Sequence, residues 1–244
     1  MSLHHRVDGD DSAPVVALSN SLAAVLSMWD AQVPALTERF RLLRYDHPGH
    51  GGSHPADVDG MGSLARGVLD LLDELGLERV SFCGVSLGGA VGMRLALDAS
   101  ERLDRLVLAC TSARFGSPEL WQERADLVRA KGVGAVADAV LERWFTPAFP
   151  DVQRFRDMFL STDAETYARC CEAIRDWDVR DAIRAIRTPT LVISAADDPS
   201  TPPDHQQLIA AAIPGARLET IPNARHLANV ERPEPFNAAL LSFL

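Results

Sequence analysis

The apolar run Val80-Ser81-Phe82-Cys83 leads directly into Gly84-Val85-Ser86-Leu87-Gly88, and a helix-like stretch, Ala90 to Ala99, follows at once. A strand that turns into a helix at a small-residue elbow this short leaves few folds open. It presents one serine hydroxyl at the top of a sheet. The Gly-x-Ser-x-Gly spacing alone is a weak signal, and its position between strand and helix carries the inference. Gly84 and Gly88 leave room for backbones to pass where a Cβ would collide. The first helical N–H, that of Leu87, then points to the space above Ser86.

The rest of the chain supports a sheet built to hold such an elbow. Val15 to Leu18, Arg41 to Tyr45, Leu106 to Ala109 and Leu191 to Ile193 are further short apolar runs. Continuous runs, unlike strict alternation, mark strands buried on both faces, as in a parallel sheet. Between them lie helical patterns. The clearest places Leu64, Val68, Leu71, Leu72 and Leu75 on one stripe, with Ser63 as the expected N-cap and Gly76 as the expected stop. From Arg114 to Ile186 the alternation ceases and four helical patterns follow one another. Ser117 and Pro118 open the first with a cap and an N1 proline, Gly132 closes it, and Thr146 to Pro150 interrupt the series. The chain therefore divides into core residues 1–113, an inserted helical lid over 114–186, and core residues 187–244. Its fold class is α/β, and 244 residues suffice for one such domain.

A serine at an elbow needs an acid and a histidine, and they are expected in that order downstream. After Thr190 to Ile193 comes Ser194-Ala195-Ala196-Asp197-Asp198-Pro199. After Arg217 to Ile221 comes Pro222-Asn223-Ala224-Arg225-His226. All three candidates thus follow strands, at the end of a parallel sheet where sites assemble. The blander alternatives are an Asp-Asp-Pro turn and a satisfied loop histidine.

Composition narrows the function. A net charge of −10 argues against a nucleic-acid partner and means that an anionic substrate needs its own local arginine. Cys83, Cys110, Cys170 and Cys171 show neither CxxC spacing nor pairing with histidines, so neither a disulfide framework nor a zinc site is expected, and no cofactor is implied. With no signal-like start and no apolar run of membrane-spanning length, a soluble, cytoplasmic protein is expected. Oligomeric state stays open.

The whole chain resembles the α/β-hydrolase family. Arg44-Tyr45-Asp46-His47-Pro48-Gly49-His50-Gly51-Gly52-Ser53 is similar to the loop after that family's fourth strand, where His50 reads as structural. Members often carry a His-Gly pair after the third strand, and here Ser19 and Asn20 stand in its place. That departure, with Arg114 to Glu119, Arg143 to Thr146 and Cys171 to Ile174, resembles the 3-oxoadipate enol-lactonases of aromatic-compound catabolism. The family usually has a strand before the segment matched by Leu3 to Gly9, so the sheet is expected to lack its first edge strand.

The resemblance implies Ser86, Asp198 and His226 as the triad. It favours Asp198 over Asp197 because members place the acid just before the segment matched by Pro199 to Pro202. It also implies an oxyanion hole from the backbone N–H groups of Leu87 and Ser21, with Leu22 in place of Ser21 after a one-residue shift. The lid would follow the family's sixth strand, cover the elbow and form the specificity pocket. The expected ligand is a small lactone with a free carboxylate, held by Arg143 beside Trp144. Rival readings are a general carboxylesterase or ring-fission-product hydrolase of the same fold, and a non-enzymatic small-ligand receptor. Dehalogenation is disfavoured, since Ser86 stands where an aspartate nucleophile would be required.

Overall fold

In the computed structural model, which describes residues 2–244, seven strands form one sheet in the order β1-β3-β2-β4-β5-β6-β7. They are β1 (His5–Asp8), β2 (Val15–Ser19), β3 (Arg41–Tyr45), β4 (Val80–Val85), β5 (Leu103–Ala109), β6 (Thr190–Ala195) and β7 (Arg217–Ile221). All pairings are parallel except that of β1 with β3. The apolar runs form the buried ladder: Phe82, Leu106, Val107, Leu108, Leu191, Val192 and Ile193 have no exposed surface. Strands β4, β5 and β6 extend beyond those runs. At the start of β5, for instance, Asp104 and Arg105 are exposed, because the ladder with β6 begins only at Leu106 opposite Thr190. A continuous-apolar criterion cannot see such a half-paired strand end. Strand β1 is the sheet's outermost strand, and none lies beyond it among the described residues.

The strands are linked through helices flanking the sheet. The one-turn α1 (Val33–Leu36) precedes β3, α2 (Met61–Glu74) precedes β4, and α3 (Leu87–Asp98) joins β4 to β5. Four helices, α4 (Pro118–Lys131), α5 (Gly134–Trp144), α6 (Val152–Leu160) and α7 (Ala164–Arg175), occupy the excursion between β5 and β6. Helix α8 (Pro203–Ala212) joins β6 to β7, and α9 (Ala228–Glu231) and α10 (Pro233–Phe243) end the chain.

One helix start differs from expectation. Helix α2 begins at Met61 with Gly60 at the N-cap, and Ser63 lies inside the first turn, where its hydroxyl donates to the Gly60 carbonyl at 2.8 Å. The apolar stripe that locates a helix face is blind to a first turn carrying Gly60 and Gly62. The expected stop is found: Leu77 N–H bonds Leu72 O and Gly76 N–H bonds Asp73 O, a Schellman closure with Gly76 at φ +66°. Ser117 caps α4 by accepting from Leu120 N, with Pro118 following.

The four-helix excursion has its own aromatic core. Phe145 stacks on Phe149 with ring centroids 4.1 Å apart, Phe155 lies 4.9 Å from Phe145, and Trp144 and Tyr167 flank Phe159 at 5.7 and 5.6 Å. It is also tied to the sheet domain by backbone. Asp163 N–H donates to Gly49 O at 2.9 Å, Leu227 N–H to Trp144 O at 3.2 Å, and Val179 N–H to Ala113 O at 2.9 Å. No helix among the described residues is long and apolar enough to cross a membrane.

Candidate active site

The site begins at the elbow. Ser86 sits between β4 and α3 with φ +56° and ψ −114°, a conformation that costs a non-glycine residue on the order of 1–3 kcal/mol and persists only where its surroundings enforce it. They do so here. Ser86 N–H donates to Ala109 O at 2.9 Å, and the Ser86 carbonyl accepts from the Thr111 hydroxyl at 2.6 Å and from Ala90 N–H at 3.1 Å. Thr111 is held in turn by Gln206, whose amide donates to the Thr111 carbonyl at 2.6 Å. A Cβ on Gly84 would lie 2.2 Å from the Gly88 carbonyl group, and one on Gly88 would lie 2.3 Å from Ser19 O. Those two approaches are the physical requirement behind both glycines of the motif.

The loop after β6 brings Asp198 to His226, on the loop after β7. His226 Nδ1 is 2.8 Å from Asp198 Oδ2, and both side chains are buried. Oδ2 also accepts from the Thr201 hydroxyl at 2.7 Å, and Oδ1 accepts from the N–H groups of Ser200 and Thr201 at 2.8 and 3.2 Å. Burial pushes the carboxyl up. The charge of the His226 ring and the bonds from His226, Thr201 and Ser200 outweigh that and hold it below its ordinary value. Asp197 is exposed and does not contact His226. With Nδ1 committed to the carboxylate, Nε2 is the ring's free nitrogen. Ser86 and His226 line one cavity of about 210 Å³, and their side chains are not hydrogen-bonded to each other in this unliganded arrangement. Contacts of this kind commonly close only around substrate.

The backbone N–H groups of Ser21 and Leu87 have no acceptor among the described residues, and that of Leu22 is equally free. Gly88 N–H donates to Asn20 O at 3.0 Å, which ties the two segments carrying these donors together. The Ser19-Asn20 departure has a structural counterpart. Asn20 donates to Tyr45 O at 2.8 Å and accepts from the Trp29 indole at 2.9 Å, while Ser19 Oγ accepts from the Tyr45 hydroxyl at 2.6 Å.

Arg143 and Trp144, the last two residues of α5, both line the cavity. Trp144 is buried, and Arg143 is exposed, with no ion-pair partner among the described residues. The backbone of this corner also reaches the histidine loop, since His226 N–H donates to Arg143 O at 3.4 Å.

Sequence reasoning missed Arg124. It lines the same cavity, half-buried and without a carboxylate partner among the described residues, its guanidinium 4.5 Å from the centre of the Trp121 ring and beside Tyr167. The signal was available, because Trp121 and Arg124 are three apart on one helix face. The cavity lining thus carries two guanidinium groups and no carboxylate, in a chain with ten more acidic than basic side chains. All four cysteines are buried free thiols, and burial pushes that of Cys171 up to about 12. Among the described residues, no group of three His, Cys, Asp or Glu side chains could hold a metal ion.

A strained serine elbow at a strand-to-helix turn, opening on a cavity shared with a buried His–Asp pair, narrows the fold family, and comparison decides it. A family model described as the alpha/beta hydrolase fold matches residues 14–233. The chain belongs to the α/β-hydrolase family. Among its α/β-hydrolase relatives it is 36% identical to 3-oxoadipate enol-lactonase 2 of Acinetobacter baylyi, over 98% of this chain and 92% of that protein. It is 30% identical to a candidate carbamate hydrolase, RutD, of Agrobacterium fabrum, over 99% and 98% of the two chains. The crystal structure of the enol-lactonase from Burkholderia xenovorans LB400 superposes with a TM-score of 0.95 at 42% identity, over 99% of this chain and 95% of that one.

Proposed function

We propose that this α/β-hydrolase is a serine hydrolase that opens 3-oxoadipate enol-lactone to 3-oxoadipate, a step in the breakdown of aromatic compounds. The observation that carries the reading is one cavity that joins a strained serine and a His–Asp pair to two unpaired guanidinium groups. Likeness to enol-lactonases in both sequence and shape supports the lactone over the carbamate that the RutD relatives suggest.

Serine is a poor nucleophile near neutrality. His226 Nε2 therefore takes the Oγ proton as Ser86 attacks the lactone carbonyl carbon, and Asp198 fixes the ring tautomer and stabilises the imidazolium. The N–H groups of Leu87 and Ser21 receive the charge on the tetrahedral oxygen. Collapse breaks the ring C–O bond. The leaving oxygen departs as a delocalised enolate, which needs less help from the imidazolium proton than an amine would. One water, deprotonated by His226, then attacks the acyl carbon, Ser86 Oγ leaves with a proton, and the carboxylate product is released as its enol tautomerises. The substrate's own carboxylate is held by Arg143 at the end of α5, with Trp144 as apolar wall, and Arg124 supplies the second positive charge. Helices α4 to α7 act as the lid that excludes water from this exchange.

The test is a direct comparison of enol-lactone disappearance with hydrolysis of a neutral aryl ester, for the wild type and for Ser86→Ala. A strong preference for the lactone in kcat/KM is expected, and Ser86→Ala should lose at least about 1,000-fold on both substrates. Retained activity in the variant removes the nucleophile assignment. Comparable kcat/KM on the two substrates favours a general carboxylesterase, and no turnover of either favours a ligand receptor.

A further inference from the structure

The segment Tyr45 to His50 supplies two fully buried histidines that take no part in the chemistry above. His50 Nδ1 is 2.7 Å from the Pro48 carbonyl oxygen, and its Nε2 is 3.0 Å from the backbone nitrogen of Ala23. A carbonyl oxygen can only accept, so Nδ1 carries the proton. A peptide N–H can only donate, so Nε2 carries a lone pair. The contacts alone therefore fix the ring as the neutral Nδ1–H tautomer. Burial lowers its pKa against the opposing Pro48 bond and the carboxylates of Asp46 and Asp163.

The N–H held by His50 belongs to the central peptide of a tight turn. Ala24 N–H closes the turn onto Ser21 O at 3.0 Å, Ala23 has φ +63°, and Leu22 has no positive φ, which makes it a type II turn. Type II turns normally place glycine at that third position, and alanine there is strained. Rotating the Leu22–Ala23 peptide by half a turn would give the relaxed type I form. It would also swing the Ala23 N–H off its acceptor in a place with no exposed surface. His47 performs a related task one step earlier, with Nε2 3.1 Å from the carbonyl of Asn20, the same carbonyl that accepts from Gly88 N–H.

We infer that His50 is a positioning residue for the oxyanion-binding turn: by accepting the Ala23 N–H it holds Ser21 to Ala24 in the strained type II form that aims the Ser21 donor into the cavity. This rests on the acyl-transfer reading above but on no particular substrate. His50 touches no reacting atom, so its removal should act on kcat through transition-state charge and leave ground-state binding nearly unchanged.

Two amide substitutions separate this role from ordinary packing. His50→Gln carries an acceptor at the reach of Nε2, whereas His50→Asn can keep the Pro48 bond but falls short of Ala23. On 4-nitrophenyl acetate, His50→Asn is expected to lose about 10- to 100-fold in kcat, a part of the 100- to 1,000-fold that complete loss of an oxyanion donor costs. Its KM should stay nearly constant, and its affinity for phenylboronic acid, which forms a tetrahedral adduct on the serine, should fall in parallel. His50→Gln should stay within about threefold of the wild type. The double variant Ala23→Gly with His50→Asn should recover kcat, because glycine takes up the type II turn without strain, and it also provides the readout if His50→Asn alone does not fold. Equal kcat for the Asn and Gln variants, a loss confined to KM, or no recovery by Ala23→Gly overturns the positioning role. The Ser86→Ala control separates the two failures, since activity retained there defeats the acyl-transfer reading itself.

Discussion

Asp198→Asn tests the candidate site most stringently, because the hydrogen bonds around Asp198 dictate which way the new amide must point. Oδ1 faces two backbone N–H groups that can only donate, so the amide oxygen has to occupy that side. The NH2 is then forced onto the Oδ2 side, towards His226 Nδ1 and the Thr201 hydroxyl. A hydroxyl can turn to accept, and the imidazole can accept only by moving its proton to Nε2. That tautomer cannot take the Ser86 proton. Loss of about 10⁴-fold in kcat is expected, as for a triad histidine locked in the wrong tautomer, which corresponds to about 5.5 kcal/mol of transition-state stabilisation. The assay is kcat for an aryl ester between pH 5 and 9, with near-UV circular dichroism to show that the fold is retained. The carboxyl's depressed pKa supplies a second readout. A group held below its unfolded value stabilises the fold above the ordinary carboxylate range, about pH 3.9, and loses that contribution as pH falls through its folded pKa. The stability gap between wild type and Asp198→Asn should therefore narrow below about pH 4. A folded variant within tenfold of wild-type kcat would refute the tautomer argument.

The remaining predictions address the glycine elbow and the two cavity arginines. Gly84→Ala places a Cβ 2.2 Å from backbone that cannot move without breaking the elbow; a loss of about 2–3 kcal/mol is expected from the urea midpoint, and an unchanged midpoint would show that the elbow is pliable. Arg124→Gln should raise KM for a carboxylate-bearing substrate about 10- to 100-fold, the range of a lost charge-assisted hydrogen bond, while sparing a neutral ester; equal loss on both would assign Arg124 to folding. Arg143 is exposed, so the effect of Arg143→Ala on kcat/KM should be largest at low salt and shrink towards 1 M, where the Debye length is about 3 Å. An effect independent of salt would place this guanidinium in a desolvated contact instead.

Local pattern alone determined a good deal of this protein. Strand burial on both faces is written in the runs from Val80, Leu106 and Leu191, the cap and stop of α4 in Ser117-Pro118 and Gly132, and the elbow in the spacing of Gly84, Ser86 and Gly88. Each of these depends on neighbours a few residues away, where sterics and periodicity suffice. The N-cap of α2 escaped that reading because Gly60 leaves no mark in an apolar stripe. Only the tertiary structure decided between Asp197 and Asp198 as the partner of His226, since adjacent residues on a loop differ in direction and a sequence carries no direction. It alone brought Arg124 from α4 into one cavity with Arg143 from α5, and His50 within 3.0 Å of Ala23 across 27 residues. Pairings of that kind are made when the chain closes on itself, where the cost of a buried unpaired donor selects a partner from anywhere in the molecule.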